Sequence, residues 1–455
     1  MSIRRIALGL AVGLVLADSS IVVLALPQIY RDFGVSVSAV TWVLVSFNLV
    51  LALAALPAAM VARRVGPGRA TAVGLAIFAG GGLACGLSTH ISTLIVARCL
   101  QAVGGAAAVT GALELLPSAV GSERRAATVW AAAGAAGAAL GPALGGLLTE
   151  LVSWQSIFLV QVPAALIAGV PLLRVVREEG TRETVEAEVR SPGRPHLPAN
   201  LALGLVSAAL AAALFLVVLL LIEGWRRSPI AAAAAVSVIP VAALLAAPLS
   251  RTVPDARARA AAGAILIGGG LAGLGLLPRA TILATIPPQV LVGVGLSLVL
   301  SALTETALEG RAPQAIHGGW TIAARHAGVV IGLLVLTPVF TADLVDERHA
   351  AEQAGTAALL DAKLSPLLKI ELGTRLADRL GAQKGRVPVI APAFEPAPSD
   401  PADRASWDSL HADLQDQLDR AATHAFSTSF LIAAGFGLAA LLPIGLARRR
   451  ERVLL

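Results

Sequence analysis

Three ionisable residues lie deep inside apolar stretches of this 455-residue chain: Asp18 in GLVLADSSIVVLALPQI, Arg98 in LIVARCLQAVGGAA and Arg325 in ARHAGVVIGLLVL. A carboxylate and a guanidinium in such surroundings can do one of two things. They can tie helices together as a static ion pair, or the acid can take up and release a proton as its surroundings change, because desolvation favours its neutral form and a nearby cation its charged form. An Asp at the centre of a membrane helix costs roughly 2.5–3.5 kcal/mol on insertion scales, so it is expected to face a partner or a cavity and to serve a function. A buried ion pair is weak evidence for stability, and an apolar pair would insert more easily, which favours the titrating reading.

The elements that hold these groups follow from composition. The chain is 56% hydrophobic and 14% charged, with a mean hydropathy of +0.79, which marks a membrane protein. Apolar runs near the length needed to cross a hydrocarbon core of ~30 Å at ~1.5 Å per residue fall at 6–26, 41–62, 70–89, 92–115, 126–148 and 155–175, then at 200–222, 229–249, 260–278, 284–307, 317–340 and 424–446. The expected fold is an all-α membrane protein of twelve transmembrane helices in two six-helix halves, 1–175 and 200–455, joined by a charged linker over 176–199. The first run is too long, and lacks the cleavage site, for a removable signal peptide.

Counting along these helices puts Asp18 roughly 18 Å from the inner face, Arg325 about 12 Å and Arg98 about 21 Å. Either arginine can therefore reach the acid. Arg325 is the preferred partner, because its helix belongs to the opposite half and must move relative to the first helix. His326 and Glu114 lie near helix ends, where water can solvate them.

Arginines concentrate in segments that share one side: Arg4 and Arg5, Arg63, Arg64 and Arg69, Arg124 and Arg125, the linker, Arg251, Arg257 and Arg259, Arg311, and the tail ARRRERVLL. The opposite short loops hold Arg31, Arg226, Arg227 and Arg279. This positive-inside bias places both termini in the cytoplasm of a plasma-membrane protein, and it explains the basic pI without nucleic acid. Trp42, Trp130, Trp154, Trp225 and Trp320 fall at the ends of predicted helices, as an aromatic belt requires.

Cys85 and Cys99 lie inside predicted helices and read as small core residues, not as a disulfide or metal site. The sequence has no phosphate loop, no H-E-x-x-H and no Ser/His/Asp arrangement in a soluble domain, so neither an ATP-driven pump nor a hydrolase is expected. No cofactor is called for beyond a proton gradient as the energy source. The second-half helices offer few groups able to orient a sugar, phosphate or amino acid, so the expected substrate is a lipophilic or amphipathic small molecule. Asn48, Gln101, Gln161 and Gln289 are candidate polar contacts along its path, or else interhelical hydrogen bonds.

Residues 341–423 form an acidic outer segment in which two helical stretches flank the proline-rich RVPVIAPAFEPAPSDPADR. Trp407, Leu410, Leu414 and Leu418 recur at helical spacing and run directly into the last helix. This segment either caps the protein or docks an extracytoplasmic partner.

The fifth run contains GAALGPALGG, with Gly137, Gly141, Pro142, Gly145 and Gly146. Its small-residue spacing serves close helix packing, and it also resembles the antiporter motif G-x-x-x-G-P-x-x-G-G of the major facilitator superfamily. LADSSIVVLALP resembles the first-helix signature of that family's drug:proton antiporter branch through Asp18, Ser20, Ala25, Leu26 and Pro27, with Val23 in place of the usual Asn. Arg98 and Gln101 fall on the fourth-helix pattern, with Ala102 where Gly is usual. SWQSIFLVQVPAAL resembles W-R-W-I-F-L-I-N-V-P, and Arg325, Gly328 and Gly332 fit the penultimate-helix pattern. The branch usually has fourteen helices, and this chain shows twelve. In the loop AAMVARRVGPGR, Arg64, Gly66 and Arg69 match the family's inner-gate pattern, but Arg63 stands where that pattern has an acid.

The resemblance implies a proton-coupled exporter working by alternating access, with Asp18, Arg98 and Arg325 in proton coupling. Two rivals stand beside it. One is an exporter of a lipid or endogenous metabolite, and the other is a non-transporting scaffold or receptor, motivated by Arg63 and the long outer segment.

Overall fold

The structure, a computed structural model, describes residues 3–181, 193–278, 280–311, 313–382 and 389–447. Most of the expected linker, the tail after 447, Arg279 and the start of the proline-rich stretch lie outside these residues. The first half comprises α1 (Ile3–Val23), α2 (Leu26–Phe33), α3 (Val37–Val65), α4 (Pro67–Gly86), α5 (Ile91–Val120), α6 (Glu123–Leu151), α7 (Ser156–Leu159), α8 (Gln161–Gly169) and α9 (Leu172–Thr181). The second comprises α10 (Leu197–Leu219), α11 (Pro229–Val236), α12 (Val238–Ala246), α13 (Ala256–Gly275), α14 (Ile282–Leu308), α15 (Gln314–Asp361), α16 (Pro366–Ala382), α17 (Pro401–Ala439) and α18 (Leu441–Leu446).

Eleven helical stretches among the described residues are long and apolar enough to cross a membrane, and the shorter apolar Ser156–Gly169 accounts for the twelfth crossing. Prolines explain the interruptions. Each lacks the N–H that would bond four residues back, so α7 stops at Leu159 before Pro163, α11 at Val236 before Pro240, and α17 at Ala439 before Pro443. Starts are set by side-chain caps, with Ser36, Ser122, Ser228, Asp255 and Thr281 each accepting a backbone N–H of the helix that follows.

The halves repeat one packing device. A Cβ on Gly137 of α6 would lie 2.0 Å from the carbonyl oxygen of Gly13 on α1, and a Cβ on Gly328 of α15 would lie 2.0 Å from that of Gly204 on α10. One turn further on, Gly141 packs against Ser20 of α1 and Gly332 against Ala208 of α10. Gly13 and Gly137 are as far apart in sequence as Gly204 and Gly328, so a single register relates the halves. In that register Asp18 corresponds to Ala209, Arg98 to Gln289 and Glu114 to Glu305.

The halves meet where α3 packs on α15 and α6 on α11. One face carries the turns at 65–67, 120–123, 251–256 and 308–314 and is called the linker face. Beyond the other, α15 runs on past residue 340 to Asp361 without interruption, so the eleventh helix is about 72 Å long against a ~30 Å core. The helix α17 likewise starts outside the apolar span, as the sequence pattern predicts. Leu359, Leu372, Phe394, Trp407, Leu410 and Leu414 are buried together in this extension. Trp407 Nε1 donates to the Phe394 carbonyl at 3.1 Å, so the predicted Trp–Leu stripe forms the core of a small unit outside the membrane.

The aromatic belt holds only in part. Trp42 and Trp320 are exposed, but Trp130, Trp154 and Trp225 are buried. Trp154 donates to Asp32 at 2.9 Å and Trp225 to Thr423 Oγ1 at 3.0 Å. A ring near a helix end has the same sequence signature whether it faces lipid or the next helix.

Candidate functional site

Asp18 and Arg98 are both fully buried, and the Asp18 Oδ2–Arg98 Nη1 distance is 2.6 Å. The contact is poorly aligned for a hydrogen bond, and Oδ2 has no better donor. A glutamine completes the arrangement: Gln101 Oε1 accepts from Arg98 Nη1 at 2.7 Å, while Gln101 Nε2 donates to Asp18 Oδ1 at 3.3 Å and to Gln161 Oε1 at 3.2 Å. Gln161 Nε2 donates to the Ile157 carbonyl at 3.0 Å and Arg98 Nε to that of Val43 at 3.2 Å. The guanidinium carbon lies 4.0 Å from the center of the Phe47 ring and 5.5 Å from that of Phe158, so π faces add to its stabilisation.

Each member has a local cause. Arg98 and Gln101 are three apart on α5 and share a face. Gly81 of α4 lets that helix approach Gln101 so closely that a Cβ at 81 would lie 2.6 Å from the Gln101 backbone. Asp18 sits on α1 and Gln161 near the start of α8, whose break after Leu159 leaves it beside α5. The whole network belongs to the first half. In the second half the same register holds Ala209 and Gln289, and Gln289 Nε2 donates to Thr285 at 2.8 Å.

The partner of Asp18 is therefore Arg98, not the preferred Arg325. Arg98 sits about two helical turns below the outer end of α5, level with Asp18 and on an adjacent helix of the same half, whereas Arg325 lies on α15 across the interface. Gln101 and Gln161 are spent on the network. Asn48 donates through Nδ2 to the Leu44 carbonyl at 2.8 Å, and its Oδ1 faces His326 Nδ1 at 2.7 Å. Because Oδ1 is an acceptor, the ring carries its proton on Nδ1. His326 is buried rather than solvated at a helix end, and it joins α15 to α3 across the halves.

The interface is bridged at both faces. On the linker face Glu114 Oε2 accepts from the backbone N–H of Ala315, at the start of α15, at 3.0 Å. Gly319 there packs within 3.2 Å of the Ala55 carbonyl, measured from its built Cβ position. On the opposite face Arg31 pairs with buried Glu223, and Glu150 Oε2 accepts from the backbone N–H of Ile230, at the start of α11, at 2.6 Å. Gly145 and Gly146 bring α6 against Ile21 and against Pro229 and Ala233 of the second half. A cleft of about 240 Å³ opens beside the pair, lined by Leu24, Gln28, Arg31, Thr149 and Glu150 among others.

The turn Arg63–Arg69 gives a different picture. Gly66 has φ 98° and ends α3, a conformation that favours glycine. The side chains of Arg63 and Arg64 hydrogen-bond to no described residue. Glu114 reads from the sequence as an acid that water can solvate near a helix end, and its role across the halves is what that reading lacks. Its only signal was an acid within an apolar run one turn before Pro117.

Two helical halves, meeting along two pairs of helices and bridged by polar contacts at both faces, make a multi-pass membrane fold. The profile of the Major Facilitator Superfamily matches residues 8–346, and the chain belongs to that family; it is a transporter and not an enzyme. It is 37% identical over 161 residues to multidrug resistance protein Stp of Mycobacterium tuberculosis (strain CDC 1551 / Oshkosh), which is 35% of this chain and 30% of that one. It is 34% identical over 209 residues to the methylenomycin A resistance protein of Bacillus subtilis (strain 168), 44% of this chain and 43% of that one. Against the tetracenomycin C resistance and export protein of Streptomyces glaucescens it is 35% identical over 179 residues, 38% and 33%. The chain thus spans less than half the length of these curated relatives. In fold it is similar to a bacterial homologue of the human lysosomal transporter Spinster in an inward-facing, unoccupied conformation, with a TM-score of 0.61, 16% identity, and 99% and 100% of the two chains covered.

Proposed function

We propose that this chain exports hydrophobic or amphipathic small molecules across the plasma membrane in exchange for protons, by alternating access of its two halves. The observation that carries the reading is the Asp18–Arg98–Gln101 network. It places the only acid of α1 in a water-poor site with a fixed cation beside it. Arg98 holds its charge, so Asp18 is the member that titrates. Protonation removes the attraction to Arg98 and frees the guanidinium to rearrange, which couples proton uptake to the packing of α1 against α5.

The contacts at the two faces supply the gates. Glu114–Ala315 and Arg31–Glu223 share no residue, so breaking one does not by itself require breaking the other. The arginine-rich linker face is the cytoplasmic one by the positive-inside bias, with both termini on that side. Names carrying resistance and export among the relatives support the direction of transport. No cofactor is needed, since the gradient itself drives the exchange, and the remaining partners are the substrate, protons and the lipid bilayer.

The test is flux of lipophilic dyes and drugs in proteoliposomes with an imposed proton gradient. Wild-type protein is expected to move substrate only with the gradient, and Asp18→Asn to keep substrate binding and lose the coupling. Wild-type pH dependence in Asp18→Asn would leave the network a static tie between helices. No flux of any compound would favour a scaffold.

A further inference from the structure

Arg325 is a cation without a counter-charge. It sits in the apolar span of α15 and is only half-buried, and its guanidinium makes no hydrogen bond or ion pair with any described residue. Asp18, the carboxylate that might have neutralised it, is engaged by Arg98 and Gln101.

The direction in which Arg325 faces follows from its helix. Successive residues turn by about 100°. Ile331, Leu334 and Val335 are 52%, 45% and 40% exposed and mark the outward face. Gly328 and Gly332 meet α10, and His326 meets α3. Arg325 falls between the α10 and α3 sides, away from the outward face. Ile322 and Val329 share that sector, and Ile322 packs into the core of the first half while Val329 packs against the other core. Arg325 thus lies on the side of α15 that faces the junction of the two halves, in the sector of the apolar Ile322 and Val329.

A charge held there unpaired is costly, and removal of one partner of a buried pair is destabilising for the same reason. Arginine cannot relieve the cost by losing its proton. Its planar fork of N–H donors matches an oxyanion, carboxylate or phosphate, in a two-point contact. We infer that Arg325 is the recognition point for an anionic head group, and that the transported compounds are lipophilic anions, with an apolar body lying against the Ile322–Val329 sector and an acidic group on the guanidinium. This rests on the export reading above and narrows it. It assigns Arg325 a binding role distinct from proton coupling, which falls to Asp18 and Arg98.

The test uses the purified full chain in nanodiscs of zwitterionic phosphatidylcholine, titrated with 11-(dansylamino)undecanoate and with its methyl ester, which differ only in the head group. Wild-type protein is expected to bind the acid at least about tenfold more tightly than the ester, the worth of one charge-assisted contact. Arg325→Gln is expected to bind the two alike. Arg325→Lys, which keeps the charge without the fork, is expected to retain a reduced preference and serves where the Gln variant does not fold. Equal binding of acid and ester by wild type, or a full preference surviving in Arg325→Gln, overturns the inference while leaving the export of lipophiles standing. Binding of neither compound overturns the inference, and absence of flux for the wider dye and drug panel would bring down the export reading as well.

Discussion

The Glu114 carboxylate accepts a hydrogen bond from the backbone N–H of Ala315 at 3.0 Å, so an acid on α5 of one half caps the first turn of α15 in the other. The first N–H groups of a helix have no partner within it and carry a partial positive charge. The family pattern has an acid at the place held by Arg63, and neither Arg63 nor Arg64 crosses to the second half. Glu305, at the corresponding place in the repeat, bonds to Arg259 at 2.8 Å within its own half. Glu114 reaches across the halves instead.

Replacing that cap opens the linker face. Glu114→Ala is expected to cost the closed arrangement about 1 kcal/mol, roughly a fivefold shift in population. Labels on exposed Arg64 and half-buried Arg311 should then report a longer mean distance by pulsed electron–electron resonance. An unchanged distance distribution would assign the contact to helix capping alone.

Asp18 and Arg98 are expected to be coupled in stability as well as in transport. Arg98→Ala leaves a buried carboxylate unpaired and should cost about 3–5 kcal/mol. The same change in an Asp18→Asn background should cost distinctly less, because no charge is stranded. Thermal unfolding in detergent measures the cycle, and additive losses would show that the two side chains act independently.

Gly137 and Gly328 occupy equivalent places, so Gly137→Ala and Gly328→Ala should be similarly harmful. Each forces a methyl to within 2.0 Å of a backbone oxygen, that of Gly13 or of Gly204. Backbone must move in both cases, at about 1–3 kcal/mol. Gly9 and Gly435, where a Cβ would meet nothing within 4 Å, are the control positions. If the yield and melting temperature of the Gly137 and Gly328 variants match those controls, the close approach is not what holds α1 to α6.

His196 supplies a pH dependence outside the membrane. Its Nδ1 accepts from the Ala199 N–H at 3.1 Å and so caps α10, which requires a neutral ring. Burial, and then the charge of Arg311, push its pKa below the ordinary histidine value. The unfolded chain therefore binds this proton first as pH falls. The contribution is whole above pH ~6.5 and is lost progressively below it. His196→Asn keeps a capping side chain without the titration. The drop in melting temperature between pH 8 and pH 5 should be smaller in that variant, and an equal drop would assign the acid sensitivity to other groups.

Twelve apolar runs, their pairing into halves and the rarity of Asp18, Arg98 and Arg325 within them could all be read from the order of residues, because hydrocarbon solvent imposes length and polarity on a segment one residue at a time. The antiporter glycines were legible for a similar reason, since a missing side chain at fixed spacing is a property of one helix. Which arginine meets Asp18 was not. Depth along a helix is computable from sequence, but Arg98 and Arg325 lie at depths from which either reaches the acid, and the choice depends on which helix packs beside α1. The same is true of Glu114, whose value comes from the start of α15 two hundred residues away, and of Trp130, Trp154 and Trp225, which turn inward rather than to lipid. Local chemistry settles what a segment must do in its solvent. Only packing between distant segments decides which charge meets which, because that distance is set by the helices that come between.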